Sequence, residues 1–219
     1  LEVYSWLDDK LDVLPLGYGA NAEKVILDSL KAHPEWSDQI VSFLWALDVT
    51  DIFRLQVIRN DKGLETVGIS HCFVNAKGTE AYGQTFMNES LSLRRLILIA
   101  VSFFEAFSKE KIIVIDDFGQ LLHPYVLTHI VEIFHANDME SQLIVVDCNP
   151  ALLQKDLMRK DSIWFAEKGE ESSTEFVSLS DFRGIKAKQS IYDGYLQGIF
   201  GALPIESDFC FQNKVKENN

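Results

Sequence analysis

The sequence predicts an α/β fold in which helices flank parallel strands and a β-hairpin follows nearer the C-terminus. Two nearly continuous apolar runs, at residues 112–115 and 142–147, are typical of strands buried on both faces of a parallel sheet. A helix predicted to begin at His123-Pro124, with proline at the favoured first position, separates the two runs. Strand, helix and strand together predict one right-handed crossover unit.

Helices and short strands are expected before this unit. Apolar residues at helical spacing predict two helices, the second capped by Ser37. Runs rich in β-branched residues on either side of an Asn60-Asp61-Lys62-Gly63 turn predict two strands. The expected ranges are 22–33 and 37–47 for the helices, 54–58 and 67–74 for the strands, and 78–88 for an irregular crossing or third strand.

A long apolar helix is expected to begin at Asn88-Glu89-Ser90, because a wide apolar stripe follows at helical spacing. The stripe consists of Leu93, Leu96, Ile97, Ala100, Val101, Phe104 and Phe107. Residues 163–167 and 176–179, separated by a polar turn, predict the closing hairpin. An amphipathic stretch then runs to Pro204.

The charge balance argues against nucleic-acid binding over most of the surface. The 219 residues carry 33 acidic and 20 basic side chains, and this net charge of −13 repels phosphates. Only a local basic patch would be able to bind DNA, and we expect each candidate to be a solvated surface pair. The candidates are Arg94-Arg95, Arg159-Lys160 and Lys186/Lys188.

Cysteine usage and hydropathy predict a cytoplasmic protein. Cys72, Cys148 and Cys210 are far apart in the chain, so neither a disulfide framework nor a zinc site is expected. No apolar run reaches the roughly 18–20 residues of a membrane span, and no secretory signal pattern is present, so no membrane partner is expected. The first residue is Leu1 rather than methionine, which is consistent with a partial product.

Two adjacent carboxylates, Asp116 and Asp117, end the first apolar strand and form the sharpest candidate site. Acids at the carboxyl end of a parallel strand lie at the rim where α/β proteins bind ligands. This is the layout of a Walker B strand, in which one aspartate holds Mg²⁺ beside a nucleotide and the neighbouring acid orients a water. The alternative interpretation is a pair of acids on a solvated loop before a helix.

Two further segments are candidates for contact with phosphate. Glu89-Ser90-x-Ser92 offers a hydroxyl and free backbone N–H groups at a helix start, although taken alone an ordinary N-cap explains it better. Residues 146–150, Val-Asp-Cys-Asn-Pro, follow the second parallel strand, where a residue that senses a γ-phosphate can lie. Taken alone, this segment is better explained as a turn stabilised by Asp or Asn side chains.

The histidines do not predict a metal site. His123, His129 and His135 are six residues apart, so they do not share a helix face at the spacing that a metal pair needs. His71 is isolated in the sequence, and we expect it to be structural or solvent-facing. No nucleophile-elbow motif supports Ser-His-Asp catalysis.

Six groups of short segments, taken in chain order, form a recognisable set. They are Glu89-Ser90-x-Ser92-x-x-Arg95-Leu96; Ile115-Asp116-Asp117 with Leu122-His123-Pro124; Gln142-Leu143-Ile144 with Leu152-Leu153; Arg159-x-Asp161-x-Ile163-Trp164-Phe165-x-Glu167-Lys168; Ser178-Leu179-x-Asp181-Phe182; and Tyr195-Leu196-x-Gly198-x-x-Gly201-Ala202-x-Pro204. Across about residues 40–205 the set resembles the C-terminal half of an ABC-type ATPase. The branch is the AAA-core ATP-binding family, which is related to OLD-type nucleases and bacterial phage-defence ATPases.

The resemblance implies a fold and a division of the chain. The fold is a partial ABC-ATPase lobe, similar to a P-loop NTPase. Residues 1–50 would be a helical segment of the ATPase arm or insert, 51–205 the C-terminal lobe with signature, Walker B and switch segments, and 206–219 a polar tail.

The resemblance also implies roles for individual residues. Glu89, Ser90 and Ser92 would belong to the signature segment that binds nucleotide. Asp116 would be the Walker B aspartate that holds Mg²⁺, and Asp117 would occupy the position of the catalytic glutamate. Cys148 would occupy the position of the switch histidine. ATP and Mg²⁺ are therefore the implied cofactors.

The chain departs from the family pattern where catalysis depends on it. Ser92 and Leu93 stand where the signature has Gly and Thr, and a side chain at the glycine position obstructs the approach of phosphate. Asp117 is one methylene shorter than glutamate, and a shift near 1 Å can cost ~10²-fold in rate. Cys148 lacks an imidazole. Because the 219 residues contain no GxxxxGK[ST] loop, we expect weak or absent ATP binding and no turnover by the isolated chain.

These observations predict a partial, impaired ABC-type ATP-binding domain that acts as a scaffold or regulatory lobe in a larger assembly, with phage defence as the implied context. One alternative is an active ATPase fragment completed by a separate or upstream Walker A lobe. Another alternative is a metal-dependent nuclease that uses Asp116 and Asp117 with Glu89. Whether the chain is an enzyme stays open among these hypotheses.

A protein partner is expected, either a second copy of the chain or the missing N-terminal ATPase lobe. An ABC sheet normally continues into that lobe, so the strand at 112–115 is expected to lack a neighbour or a covering helix. An exposed strand edge of this kind invites pairing with another chain.

Overall fold

A computed structural model describes residues 2–14, 20–59, 61–137, 140–154, 157–169, 171, 173–183 and 190–204. These residues form two compact units, divided between Ala151 and Leu152. The predicted α/β class is confirmed. The predicted division into residues 1–50, 51–205 and 206–219 stays a prediction. The predicted polar tail, 206–219, lies outside the described residues.

The elements of the first unit are α1 (Glu2–Lys10), β1 (Leu11–Val13), α2 (Ala20–Ala32), α3 (Trp36–Ala46), β2 (Ile52–Arg59), β3 (Glu65–Asn75), β4 (Gly78–Thr85), α4 (Leu91–Lys109), β5 (Ile112–Ile115), α5 (Pro124–Ala136) and β6 (Gln142–Val145). The elements of the second unit are β7 (Trp164–Lys168), β8 (Thr174–Ser178) and α6 (Ile191–Leu196). None of the helices in the described part of the chain is long and apolar enough to cross a membrane.

Among the described residues, the first unit contains a parallel sheet of three strands in the order β1-β5-β6. β5 pairs with β6 in the predicted way, and on its other side it pairs with β1 through Leu11 and Ile112 to Val13 and Val114. The backbone N–H of Leu14 extends this pairing by donating to the Val114 carbonyl at 3.0 Å. The expectation that β5 lacks a neighbouring strand is therefore wrong, because a three-residue strand within the segment predicted to be helical supplies it.

The two faces of this sheet are buried to different extents. Ile113 and Ile115 are fully buried on the face against which α4 packs. Residues that pair across a parallel sheet share a face, so Val13 and Ile144 lie on the other face, and they are 59% and 48% exposed. Val146 is 54% exposed. The prediction that β6 is buried on both faces is wrong, because only one face is covered.

Helix α4 forms the core of the first unit. The predicted stripe is confirmed and is wider than expected, since every residue from Leu96 to Val101 is at most 5% exposed. The Phe103 ring meets Phe43 of α3 edge-on at 6.2 Å and Phe134 of α5 at 5.1 Å between centroids. A helix that is apolar on nearly all sides is one that neighbouring elements surround.

A second sheet in this unit is antiparallel, in the order β2-β3-β4. The predicted strands around 54–58 and 67–74 are confirmed, and the segment after Gly78 is a third strand. Helix α2 contacts β3 through Glu23, whose carboxylate accepts from the Val67 N–H at 3.1 Å and from the Thr66 hydroxyl. Ser37 does not cap α3 as predicted, because its hydroxyl donates to the Leu55 carbonyl of β2 at 2.5 Å.

The second unit contains the predicted hairpin. β7 and β8 pair antiparallel from Trp164 and Ser178 to Lys168 and Thr174. Its small core consists of Ile163, Phe165, Leu179 and Phe200. The Phe165 ring stacks on Phe200, with centroids 5.4 Å apart and planes inclined by 9°.

Truncation of one α4 side chain should cost stability, whereas the same truncation at the helix start should not. Leu98 is fully buried and Leu91 is 48% exposed. We expect Leu98→Ala to lower the free energy of unfolding by about 2–5 kcal/mol. Leu91→Ala is the matched control, expected to change it by about 0.5 kcal/mol or less. Urea denaturation measures both, and equal losses would contradict this placement of α4.

Candidate functional site

Three segments meet at one edge of the parallel sheet: the start of α4, the turn after β5 and the turn after β6. Because β5 and β6 are parallel, their carboxyl ends lie at the same edge. The Phe118 N–H donates to the Val146 carbonyl at 3.1 Å and so joins the two turns. The Ser92 hydroxyl donates to the Leu121 carbonyl at 2.9 Å and joins α4 to the turn after β5. We call residues 89–95, 116–122 and 146–149 the strand-end site.

Arg95 links α4 to the turn after β5. Its residue is 2% exposed, and its guanidinium donates to the carbonyls of Asp116 and Asp117, each at 3.0 Å. A buried arginine is stabilised only where hydrogen bonds replace its lost hydration. The expectation that Arg94-Arg95 is a solvated surface pair is therefore wrong for Arg95. Arg95 is not part of the predicted stripe, but apolar Leu98 and Ile99 lie one turn further along its own side of the helix and were a signal for its burial.

Asp116 and Asp117 lie in the predicted place, exposed immediately after β5. One Asp116 carboxylate oxygen accepts from the Asp117 N–H at 2.9 Å. Asp117 has φ of +46° and Leu121 has φ of +65°, both in the left-handed region that residues other than glycine rarely adopt. Unfavourable backbone conformations persist where surrounding contacts fix them, and they cluster at functional sites. Here the Arg95 and Ser92 hydrogen bonds fix the turn.

Asp147 is a structural residue of the turn after β6. Its two carboxylate oxygens accept from the Gly119 N–H and from the Asn149 N–H, the latter at 2.7 Å. The Asn149 side chain in turn accepts from the Ala151 N–H at 3.0 Å. This segment is thus the Asp/Asn-stabilised turn that its sequence predicts. Cys148 is exposed within it.

Ser90 and Ser92, the two serines predicted to belong to a signature segment, both have hydrogen-bond partners. Ser90 is the N-cap of α4, and its hydroxyl accepts from the Leu93 N–H at 3.2 Å, as the sequence predicts. The Ser92 hydroxyl donates to the Leu121 carbonyl, so this side chain fastens the neighbouring turn where a glycine would leave open backbone. Ser90 itself is exposed at the start of a 19-residue helix.

Glu89 differs most from expectation. Its side chain is only 5% exposed, and its carboxylate lies 2.8 Å from Nε2 of His71, which is equally buried. The other ring nitrogen of His71 lies 2.8 Å from the Asp51 carboxylate. Burial lowers the pKa of His71, but the hydrogen bonds and charges of Asp51 and Glu89 outweigh it and raise that pKa above the ordinary 6.5. Sequence reasoning treated His71 as isolated because its partners are distant in the chain.

The side chains of the strand-end site would suit Mg²⁺ only as one carboxylate ligand that acts together with phosphates and water. Mg²⁺ takes hard oxygen ligands, keeps several waters, and in nucleotide sites is bound by one or two carboxylates together with phosphates. Exposed Asp116 would supply such a carboxylate. Within the part of the chain that the structure describes, no group of three or more His, Cys, Asp or Glu side chains is placed to hold a metal by itself. The trio of Asp116, Asp117 and Glu89 expected for a nuclease is not such a group.

Comparisons with known proteins add little to this geometry. No family model matches the chain, and no curated protein matches it. One similar solved structure comes from a study of ATP-driven dimerization and DNA-stimulated activation of SMC ATPases. It is 13% identical, with a TM-score of 0.49, and the alignment covers 70% of this chain and 88% of that one. Similarity this low assigns neither a family nor an activity.

Gly119 should not tolerate a side chain. A Cβ there would lie 2.7 Å from an Asp147 carboxylate oxygen and 2.9 Å from a Leu127 methyl, and two backbone N–H groups hold Asp147 in place. We expect Gly119→Ala to destabilise the protein by about 1–3 kcal/mol. Gly83→Ala is the matched control, because its nearest contact would be an ordinary 3.7 Å. Thermal or urea unfolding that ranks the two variants equally would contradict the packing of the strand-end site.

Proposed function

We propose that this chain is an ABC-type ATP-binding lobe with impaired catalysis, which acts as a scaffold or regulatory lobe in a larger assembly. The observation that carries the proposal is the strand-end site itself. Segments that the resemblance assigns to signature, Walker B and switch are separate in sequence, and direct hydrogen bonds join them at one sheet edge. Direct hydrogen bonds between the three segments favour one shared site over three independent solvated loops.

In this proposal the exposed groups of the strand-end site face the nucleotide. Asp116 would hold Mg²⁺ together with phosphate oxygens, and Mg²⁺ bound there would supply positive charge beside the phosphates. The start of α4, with Ser90, offers backbone N–H groups that favour an anion. Asp117 takes the position of the acid that orients water.

Impairment follows from the residues that replace the family's own. The Ser92 side chain is bonded to Leu121, so the α4 start lacks the bare backbone that glycine provides. Asp117 is short, and its backbone is held in the left-handed region. Cys148 is a weak donor in place of an imidazole. We therefore expect the chain to act by binding a partner protein or by responding to one. Phage defence is the biological context that the resemblance implies.

A second candidate is an active ATPase that a separate Walker A lobe completes. The open face of the parallel sheet favours it, because Val13, Ile144 and Val146 expose apolar side chains there. A nucleotide bound between two lobes would gain the phosphate-binding lysine that these 219 residues do not supply in a GxxxxGK[ST] loop. A homodimer would cover the same face without supplying that loop.

Titration of the chain with Mg²⁺-ATP tests the proposal. We expect a dissociation constant no tighter than about 1 mM, because the 219 residues contain no GxxxxGK[ST] loop whose backbone N–H groups would enclose the phosphates. Weak binding should still shift the backbone amide NMR signals of residues 89–95, 116–122 and 146–149. Asp116→Asn should abolish these shifts when Mg²⁺ is present.

Asp38→Asn is the control, since Asp38 is an exposed acid in the first turn of α3. It should leave the nucleotide-dependent shifts unchanged. Micromolar affinity of the isolated chain would contradict impairment. An absence of localised shifts at 10 mM nucleotide, on the order of ten times the expected dissociation constant, would contradict the nucleotide-facing role.

A further inference from the structure

Three elements of the first unit meet at the His71 ring. His71 lies on β3, Asp51 lies in the turn before β2, and Glu89 lies just before α4. The Asp51 carbonyl also accepts from the Cys72 N–H at 2.7 Å, which fixes the Asp51 backbone beside β3. Tyr82 of β4 stacks on the imidazole, with centroids 4.8 Å apart and planes inclined by 5°. The ring is therefore held on both nitrogens and on one face.

We propose that His71 is a proton-operated latch that positions the start of α4, closed when the imidazole is protonated between Asp51 and Glu89. The contacts define the closed state. A neutral imidazole carries one N–H and one lone pair, whereas the imidazolium donates from both nitrogens. With a carboxylate 2.8 Å from each nitrogen, only the protonated ring satisfies both.

Loss of the proton has unequal consequences for the two acids. The Asp51 side chain is 54% exposed, so water replaces a lost hydrogen bond there. The Glu89 side chain is 5% exposed, and a buried carboxylate that loses its donor is strongly disfavoured. Glu89 is therefore the end of the latch that moves when the ring loses its proton.

The start of α4 is coupled to Glu89 by sequence and by contacts. Ser90, the N-cap, is the next residue, and its own hydrogen bond to Leu93 depends on the backbone position of this segment. Arg94 faces the same segment, with its guanidinium donating to the Glu89 carbonyl at 2.9 Å and to the Met87 carbonyl at 2.6 Å. If Glu89 moved, these hydrogen bonds would change. The protonation state of His71 therefore affects the position of residues 90–94, which belong to the strand-end site.

The sign of the pH dependence follows from the raised pKa of His71. A group whose pKa is higher in the folded state stabilises the fold fully below its unfolded pKa, here the ordinary 6.5. That contribution is lost as pH rises through the folded-state pKa. The latch is thus closed at mildly acidic pH and opens on the alkaline side.

NMR titration of the whole chain between pH 5 and 9 tests the latch without nucleotide. We expect the His71 ring to titrate above pH 6.5 with both nitrogens protonated in the closed state, and the Ser90–Arg94 amides to titrate at the same midpoint. Glu89→Gln should lower that midpoint by about one unit or more, a tenfold change in proton affinity. Asp51→Asn should lower it less, and its exposed site makes it the variant safest for folding.

Glu132→Gln is the matched control. Glu132 contacts His129 at 2.9 Å in an exposed pair, so its loss should leave the His71 midpoint unchanged. A His71 midpoint at or below 6.5, or α4 amides that ignore it, would overturn the latch. The latch is inferred from contacts within this chain and does not require a nucleotide. Only its effect on nucleotide binding rests on the proposed function. Suppose that the His71 ring and the Ser90–Arg94 amides titrate together, but that nucleotide shifts no signals at any pH. This result would support the latch and contradict only the proposed nucleotide-binding role.

Discussion

The buried guanidinium of Arg95 is the constraint on which the strand-end site depends. An arginine that is 2% exposed near the start of an apolar helix needs hydrogen-bond partners in place of water, and the carbonyls of two backbone groups accept from it. Those carbonyls belong to Asp116 and Asp117. The hydrogen bonds that stabilise the buried guanidinium therefore also hold the turn in which the two carboxylates are exposed. The turn contains two residues at positive φ and needs such external contacts to persist.

The remaining contacts extend this arrangement to the neighbouring segments. Asp147 receives the Gly119 N–H, which aligns the turn after β6 with the turn after β5. On the other side, His71 Nε2 lies 2.8 Å from the Glu89 carboxylate in a buried pair, which ties the segment just before α4 to the antiparallel sheet. The start of α4 is thus held from the antiparallel sheet at Glu89, just before the helix, and from the turn after β5 at Arg95. A lobe that senses a nucleotide or a partner needs a connection of this kind between its ligand-facing edge and the rest of its fold.

Periodicity and end signals predicted the large elements well. The apolar stripe of α4, the Ser90 cap, the β5 and β6 strands and the C-terminal hairpin all follow from local residue patterns. Strand β1 was missed because three residues carry too little pattern, and its existence depends on pairing with a strand about 100 residues later. The burial of Arg95 and the His71 pairing were missed for the same reason, since their partners lie 18 to 22 residues away in sequence. The exposed face of β6 could not be predicted. An apolar run shows that both faces of a strand are suited to burial, but it does not show whether another element covers each face.

Backbone hydrogen exchange in an Arg95→Met variant tests the central claim most directly. Three amides of the turn after β5 have backbone acceptors, those of Phe118, Gln120 and Leu122. If Arg95 holds the turn, these amides and the first turn of α4 should exchange faster in the variant, while the buried amides from Ile97 to Phe103 keep their protection. Unchanged exchange at Phe118, Gln120 and Leu122 in a folded variant would show that the turn does not depend on Arg95, and the account of the strand-end site would be wrong.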